Sequence, residues 1–149
     1  MSGRYARQAV LPEVGDAGQA RLAAASVLVV GAGGLGCPVM QYLAGSGVGR
    51  LVIVDHDVVE ETNLHRQPLY TMADIGKPKV EVAQGALQRF NPEIRVEAVA
   101  ERLTPQNAQR LVAQADVVVD AADSFAVTYI LSDACLAAAK PLVLSLIHI

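Results

Sequence analysis

A short apolar run that ends in a glycine-rich turn constrains this chain more than any other feature. Residues 26–30 read Ser-Val-Leu-Val-Val, and residues 31–36 read Gly-Ala-Gly-Gly-Leu-Gly. The β-branched run predicts a buried strand, and the small residues after the turn predict a helix. Glycines at such a junction let the backbone approach phosphate oxygens, whose charge is stabilised by amides at a helix N-terminus. The pattern therefore predicts a nucleotide site that includes Gly31, Gly33, Gly34 and Gly36.

The rest of the chain repeats this alternation of strand and helix. Further strands are predicted at residues 51–54, 94–99 and 117–119, and a last one begins at residue 142. Helices are predicted at about residues 18–24, 35–44, 73–90 and 125–139, with another opening at Thr104-Pro105. Near-continuous apolar runs are typical of parallel strands that are buried on both faces. We expect an α/β fold, a Rossmann-like doubly wound and mostly parallel sheet, truncated after about the fifth strand.

Composition excludes several other classes of protein. The chain has 149 residues, of which 52% are hydrophobic, with 12 Lys and Arg against 15 Asp and Glu. This content indicates one globular domain rather than a disordered tail. A net charge of −3 gives no basic excess for duplex binding, and 4% aromatic residues without tryptophan argue against stacking on single strands. Nucleic acid is therefore an unlikely class of partner on composition.

The long uncharged stretch between Arg21 and Arg50 could in principle cross a membrane. Its many glycines and Pro38 interrupt any spanning helix, so no membrane association is expected. Cys37 and Cys135 are too far apart to indicate a metal pair, and we interpret both as core residues. The absence of a signal peptide pattern and of a disulfide framework favours the cytoplasm.

Charged side chains follow the predicted strands, where ligands bind in sheets of this kind. Asp55 ends the second strand, at the position of an acid that accepts ribose hydroxyls. With the glycine turn alone, it would indicate an NAD(P)-linked oxidoreductase. The segments around Arg66, Lys79 and Asp123 change this interpretation, because arginine and lysine can hold a triphosphate and aspartate its magnesium. No His or Tyr arrangement suited to hydride transfer accompanies them.

These motifs resemble those of the MoeB/ThiF/HesA adenylyltransferases, which are related to ubiquitin-activating enzymes. The resemblance covers residues 4–143 and runs in family order. The matching motifs are Arg4-Tyr5-x-Arg7-Gln8, Leu11-Pro12-Glu13-x-Gly15, the run 29–36, Asp55-x-Asp57, Asn63-Leu64-x-Arg66-Gln67, Gly76-Lys77-Pro78-Lys79 and Asp120-x-x-Asp123.

The resemblance implies ATP-dependent activation of the C-terminal Gly-Gly carboxylate of a small ubiquitin-like sulfur-carrier protein, as in molybdopterin or thiazole biosynthesis. An acyl-adenylate would form and pyrophosphate would leave. The family also implies a homodimer and ATP with Mg²⁺. Structural zinc belongs to C-x-x-C pairs of a C-terminal part that this sequence does not contain. A tRNA-modifying dehydratase, which would make tRNA a partner, is an alternative within the family.

The family also implies roles for individual residues. Asp55 would hold the ribose, Asp123 would hold magnesium, and Arg7 would reach the triphosphate of a neighbouring subunit. The implied catalytic set is Arg7, Arg66, Lys79 and Asp123. The implied nucleotide-binding set is Gly31, Gly33, Gly34, Gly36, Asp55, Asp57, Asn63, Arg66, Lys79, Asp123 and Ser124. The chain departs from the usual pattern at Ser124, Ala122 and His65, where the family usually has Asn, Thr and Gln.

The end of the sequence has an unusual composition. Residues 144–149 resemble a translated sequencing adapter, so we expect an incomplete ATP-binding adenylation domain over residues 1–143 and a foreign tail over 144–149. An inactive nucleotide-binding fragment is the non-enzymatic alternative. Reading the genomic DNA beyond codon 143 would test this boundary.

Overall fold

The computed structural model describes residues 3–145 and contains one sheet of five parallel strands in the order β3-β2-β1-β4-β5. The strands are β1 (Ser26–Val30), β2 (Arg50–Val54), β3 (Arg95–Val99), β4 (Val117–Asp120) and β5 (Leu142–Leu144). The helices are α1 (Ala6–Ala9), α2 (Gly15–Ala24), α3 (Gly36–Ser46), α4 (Lys79–Phe90), α5 (Pro105–Val112) and α6 (Phe125–Ala138), with 3-10 turns at Gly3–Tyr5, Glu61–Asn63 and Met72–Asp74. The strand order reverses between β1 and β4, which confirms the predicted doubly wound α/β fold.

Apolar side chains are buried on both faces of this sheet. In β1, Val27 and Val29 pack in the core on the side of α3 and α4, whereas Leu28 and Val30 pack on the side of α5 and α6. Successive side chains of a strand point to opposite faces, so a central strand covered by helices on both sides must be apolar at every position. This requirement explains why the strand runs were visible in the sequence.

The N-terminal segment is held against the C-terminal end of α3. Tyr5 is buried, and its hydroxyl accepts a hydrogen bond from Asn91 Nδ2 at 2.8 Å. Gln8 donates to the Gln19 side chain and, at 2.7 Å, to the carbonyl of Ser46. Gly47 adopts a φ of +86°, and a Cβ there would lie 2.7 Å from the Tyr5 ring. These contacts fix the short helix α1, which carries Arg7.

The helix predicted over residues 73–90 was wrong at its beginning. Helix α4 begins at Lys79, because Pro78 is extended with a ψ of 128° and Gly76 has a φ of +85°. The preceding residues form the separate turn Met72–Asp74, in which Asp74 Oδ2 accepts the Thr71 N–H at 3.0 Å. The helical apolar spacing of Val80, Ala83 and Leu87 lies entirely after this break, so it supports only the observed α4.

Other predictions concern the cysteines, the membrane and the tail. Cys37 and Cys135 are buried and free, as expected of core residues, and burial raises the pKa of each thiol. Within residues 3–145, no helix combines the length and the apolar composition needed to cross a bilayer. Leu144 closes β5, whereas residues 146–149 of the predicted tail lie outside the described residues.

Candidate functional site

A cleft of about 1020 Å³ opens at the carboxyl ends of the strands, where the strand order reverses. Most of the predicted nucleotide-binding residues line it although they come from separate parts of the chain. These are Gly31, Gly33, Gly34, Asp55, Asp57, Asn63, Arg66, Lys79, Asp123 and Ser124. Gly36 and Arg7 do not line the cleft.

The glycines of the turn divide into two groups by what surrounds them. Gly31 has a φ of +101°, and a Cβ there would lie 2.6 Å from the carbonyl oxygen of Ala121. A Cβ on Gly36 would lie 2.0 Å from the Gly31 carbonyl oxygen. Gly33 and Gly34, in contrast, would meet only side-chain atoms and the Arg66 carbonyl at 3.4–3.5 Å. Gly31 and Gly36 therefore allow close backbone packing, while Gly33 and Gly34 keep the surface of the cleft open to a ligand.

Asp55 links the ends of β1 and β2. Its Oδ2 accepts the Ala32 N–H at 2.8 Å, and its Oδ1 accepts the Asp57 N–H at 2.8 Å. Each carboxylate oxygen has a second lone pair, so the half-buried group can still accept hydrogen bonds from a ligand. The two backbone contacts orient the carboxylate at the edge of the cleft.

Lys79 places a buried cation at the cleft. It is the first residue of α4 and only 5% exposed, and its backbone N–H donates to the Asp57 carbonyl at 3.0 Å. Its Nζ lies 3.7 Å from Asp57 Oδ2, which is beyond hydrogen-bond distance. Because burying a charge without a close partner is unfavourable, this ammonium group favours an additional anion in the cleft.

Arg66 lies over the open part of the glycine turn. Its Cγ and Cδ would be 3.4 Å from a Cβ on Gly34, and its backbone N–H donates to the Asn63 carbonyl at 3.2 Å. Among the described residues, no carboxylate lies within ion-pairing distance of its guanidinium group. The exposed guanidinium is therefore available to a bound anion.

Tyr70 secures the loop that carries Arg66. Its hydroxyl donates to the carbonyl of Ala32 at 2.5 Å, so the loop after β2 is attached to the glycine turn after β1. Burial raises the pKa of Tyr70 well above its ordinary value. The position of Arg66 thus depends on a contact between segments that are distant in the chain.

Asp120 and Asp123 follow β4 but differ in their surroundings. Asp120 is buried, and its carboxylate accepts the Ala122 N–H at 3.1 Å and the Thr128 hydroxyl at 2.5 Å. Asp123 is exposed at the cleft and accepts no hydrogen bond from another described residue. Asp120 therefore shapes the turn, and Asp123 offers a carboxylate to a ligand.

The described residues include one group with metal-binding geometry. Single ligand atoms of Asp55, His56 and Asp57 lie within 4.8 Å of one another. One of these three ligands is a histidine nitrogen, however, and His56 Nε2 lies 3.3 Å from Asp57 Oδ1. Magnesium prefers oxygen ligands, usually one or two carboxylates together with substrate phosphates. The unpaired carboxylate of Asp123 fits that preference better.

Sequence reasoning missed parts of the cleft wall. Leu103, Val127 and Ile130 form an apolar side suited to a nucleobase, and Gln67 is buried beside the glycine turn. Gln67 was part of a recognised motif but received no role. The apolar residues had no signal of their own, because a cleft wall and a core give the same sequence pattern. Arg7 is exposed on α1, so its predicted role in a neighbouring subunit remains a prediction.

Comparison with known proteins identifies the relatives of this fold. The chain is 54% identical to a sulfur carrier protein adenylyltransferase of Thermus thermophilus over 145 residues, covering 97% of this chain and 54% of the relative. It is 53% identical over 140 residues to the adenylyltransferase and sulfurtransferase MOCS3 of Anopheles gambiae, covering 94% of this chain and 32% of the relative. The chain thus spans about half, or less, of the length of these relatives.

A solved structure and a family profile lead to the same group. The E. coli tRNA N6-threonylcarbamoyladenosine dehydratase TcdA, in complex with ATP, superposes with a TM-score of 0.89 at 32% identity, covering 95% of this chain and 58% of that one. The profile of the ThiF family matches residues 5–147. The chain belongs to the ThiF family, as its motifs predicted.

Proposed function

We propose that this chain forms the nucleotide-binding part of an ATP-dependent adenylyltransferase that activates the C-terminal Gly-Gly carboxylate of a small ubiquitin-like sulfur-carrier protein. One observation carries the proposal. Arg66, Lys79 and Asp123, which come from three segments, line the same cleft as the open glycine turn. Two cations beside open backbone amides are suited to a triphosphate, and a free carboxylate is suited to its metal.

The proposed reaction needs no nucleophilic side chain. A carboxylate oxygen of the carrier attacks the α-phosphorus of ATP, the bond from that phosphorus to the bridging oxygen breaks, and pyrophosphate leaves with the electron pair. Catalysis of such a displacement depends on positioning and charge stabilisation. This agrees with the burial of Cys37 and Cys135 in the core, away from the cleft.

Each side chain has a role that follows from its charge. Arg66, Lys79 and Asn63 would bind phosphate oxygens together with the amides near Gly33 and Gly34, and Asp55 would bind the ribose. Asp57 and Ser124 would line the nucleotide site. Magnesium, held by Asp123, would neutralise the charge that develops on the phosphates when it is bound.

The proposed enzyme is a homodimer in which Arg7 reaches the triphosphate of the neighbouring subunit. Support comes from the rigid attachment of α1: Gln8 and the adjoining Tyr5 are both fixed, while Arg7 is exposed. Because the backbone of α1 is already held in place, binding an anion would order only the side chain of Arg7. The homodimer is expected to be cytoplasmic.

A sulfur carrier is favoured over a modified tRNA as the substrate. Identity to the sulfur carrier adenylyltransferase is 54%, compared with 32% to the tRNA dehydratase. The net charge of −3 also provides no basic excess for binding RNA. Carriers of the molybdopterin and thiazole type are both included in the proposal.

The test is ATP–pyrophosphate exchange by the full-length protein, whose sequence is read from genomic DNA. We expect exchange that requires both Mg²⁺ and a carrier ending in Gly-Gly. A carrier without its last glycine is the matched control and should not support exchange. Exchange that needs tRNA instead would favour the dehydratase, and NADH binding that ATP does not compete with would favour an oxidoreductase.

A further inference from the structure

Gln67 contains a buried polar atom that the protein itself does not satisfy. Its side chain is 2% exposed, and Oε1 has no hydrogen-bond partner. Among residues 3–145, this is the only buried side-chain nitrogen or oxygen without a partner. Buried carbonyl oxygens are normally paired, because losing water without a replacement is unfavourable. An exception at a ligand cleft indicates that a ligand supplies the partner.

The surroundings of Gln67 place its carboxamide group beside the glycine turn that lines the cleft. Gln67 lines the cleft, and its Nε2 would lie 3.5 Å from a Cβ on Gly33. It directly follows Arg66, whose side chain covers Gly34. The backbone carbonyl of Gln67 accepts the Tyr70 N–H at 3.2 Å, in the segment that Tyr70 attaches to the glycine turn. The carboxamide is therefore held by the fold and not by its own hydrogen bonds.

We propose that Gln67 is a substrate-binding residue whose Oε1 accepts a hydrogen bond from a donor group of the bound substrate. This inference rests on the proposed adenylation. Phosphate oxygens of ATP carry no proton at neutral pH, so the triphosphate cannot supply the donor. We consider two sources of the donor: a ribose hydroxyl, and a backbone N–H in the C-terminal peptide of the carrier. Both present the same chemistry to a carbonyl oxygen.

This assignment predicts opposite effects on stability and binding. In Gln67→Met, an apolar chain of similar length replaces an unpaired acceptor, so the thermal stability of the ligand-free full-length protein should stay the same or rise. Affinity for a non-hydrolysable ATP analogue, or the KM for the carrier, should worsen about tenfold because the hydrogen bond to the substrate is lost.

Gln84 provides the matched control. It is a half-buried glutamine on α4 whose Nε2 donates to the Val96 carbonyl at 2.7 Å, and it does not line the cleft. Gln84→Met loses a hydrogen bond that the free protein makes. It should therefore lower the melting temperature and leave the nucleotide affinity and the carrier KM within twofold.

Two arms identify the source of the donor. If a ribose hydroxyl is the donor, either the 2′-deoxy or the 3′-deoxy analogue of ATP lacks that hydroxyl. Wild type and Gln67→Met should bind that analogue with the same affinity. If the peptide is the donor, Gln67→Met should bind the ATP analogue normally and show a raised KM for the carrier. Either result supports the proposal.

Other outcomes overturn it. The proposal is wrong if Gln67→Met changes neither affinity nor KM by more than twofold, or if it destabilises the free protein as much as Gln84→Met does. Failure of both Gln67→Met and Gln67→Leu to fold would also contradict it, because the free protein would then depend on the amide. If the wild-type protein shows no exchange, the proposed function fails, and the nucleotide-binding arm still tests Gln67.

Discussion

The polar groups at the two ends of the same sheet differ in how completely they are paired with one another. At the amino ends of the strands, Arg50 forms a bidentate pair with Glu97, at 2.9 and 2.8 Å. Its Nη1 also donates to the carbonyl of Gln114 at 2.9 Å, and the Ser26 N–H donates to Asp116 at 2.8 Å. These groups satisfy one another, and they tie β2 to β3 and β1 to the residue before β4.

At the carboxyl ends Asp55 and Asp120 accept hydrogen bonds, but three other polar groups lack a close partner within residues 3–145. Arg66 has no carboxylate partner among the described residues, Lys79 has one only at 3.7 Å, and Gln67 Oε1 has none. Packing alone would favour removing such groups or pairing them. Charge at one end therefore pairs within the fold, and the unpaired charge at the other end is what the proposed nucleotide site requires.

The largest expected effect comes from removing the free carboxylate of the cleft. Asp123→Ala should lower ATP–pyrophosphate exchange of the full-length protein by about 10²–10³-fold, since a preorganised charge contact is lost. It should also raise the Mg²⁺ concentration needed for half-maximal exchange. Asp133→Ala, at an exposed position of α6 outside the cleft, is the control and should stay within twofold. Equal exchange by both variants would remove Asp123 from the site.

A second prediction concerns the backbone beneath the cleft. Gly31→Ala should lower the free energy of unfolding by about 3 kcal/mol or more, because a positive φ and a 2.6 Å contact with Ala121 act together. Gly76→Ala has the same kind of φ, +85°, with nothing within 4 Å, so about 1–2 kcal/mol is expected. Urea unfolding measures both values. If both variants lose a similar free energy of unfolding, backbone strain alone explains the loss at Gly31, without the close contact.

A smaller effect is expected from the paired charges at the amino end. Glu97→Gln should lower the free energy of unfolding by about 1 kcal/mol at pH 7, because a charge-assisted pair is lost. Hydrogen bonding from Arg50 holds the pKa of Glu97 below its usual value. The contribution of a carboxylate with a depressed pKa is complete above the pKa of the unfolded chain, about 4.3.

Acidification should therefore remove this contribution. As the pH falls below about 4.3 and through the lower pKa of folded Glu97, the stability difference between wild type and Glu97→Gln should shrink. Urea unfolding between pH 7 and pH 3 measures it. Glu60→Gln, at an exposed residue that forms no ion pair among the described residues, should show almost no difference at any pH. A difference for Glu97→Gln that does not change with pH would contradict the ion pair.

The sequence predicted the sheet better than it predicted the loops. The strands were visible because burial on both faces requires runs such as Val27 to Val30. The strand-end residues Asp55 and Asp123 could be placed at one edge because parallel strands end there together. The start of α4 was signalled by Gly76 and Pro78, which the helix prediction did not use. The surroundings of Gln67 could not be predicted, because they depend on the distant contact of Tyr70 with Ala32.

The most direct test of this contrast replaces one arginine at each end of the sheet with alanine. Exchange activity and urea unfolding are measured on Arg66→Ala and Arg50→Ala of the full-length protein. We expect Arg66→Ala to lose exchange by about 10²–10³-fold with unfolding free energy changed by less than about 0.5 kcal/mol. Arg50→Ala should lose about 1–3 kcal/mol of stability and keep exchange within twofold at a temperature where it is folded. If Arg66→Ala keeps its exchange, or if both variants lose stability and activity in parallel, the two ends do not differ as described.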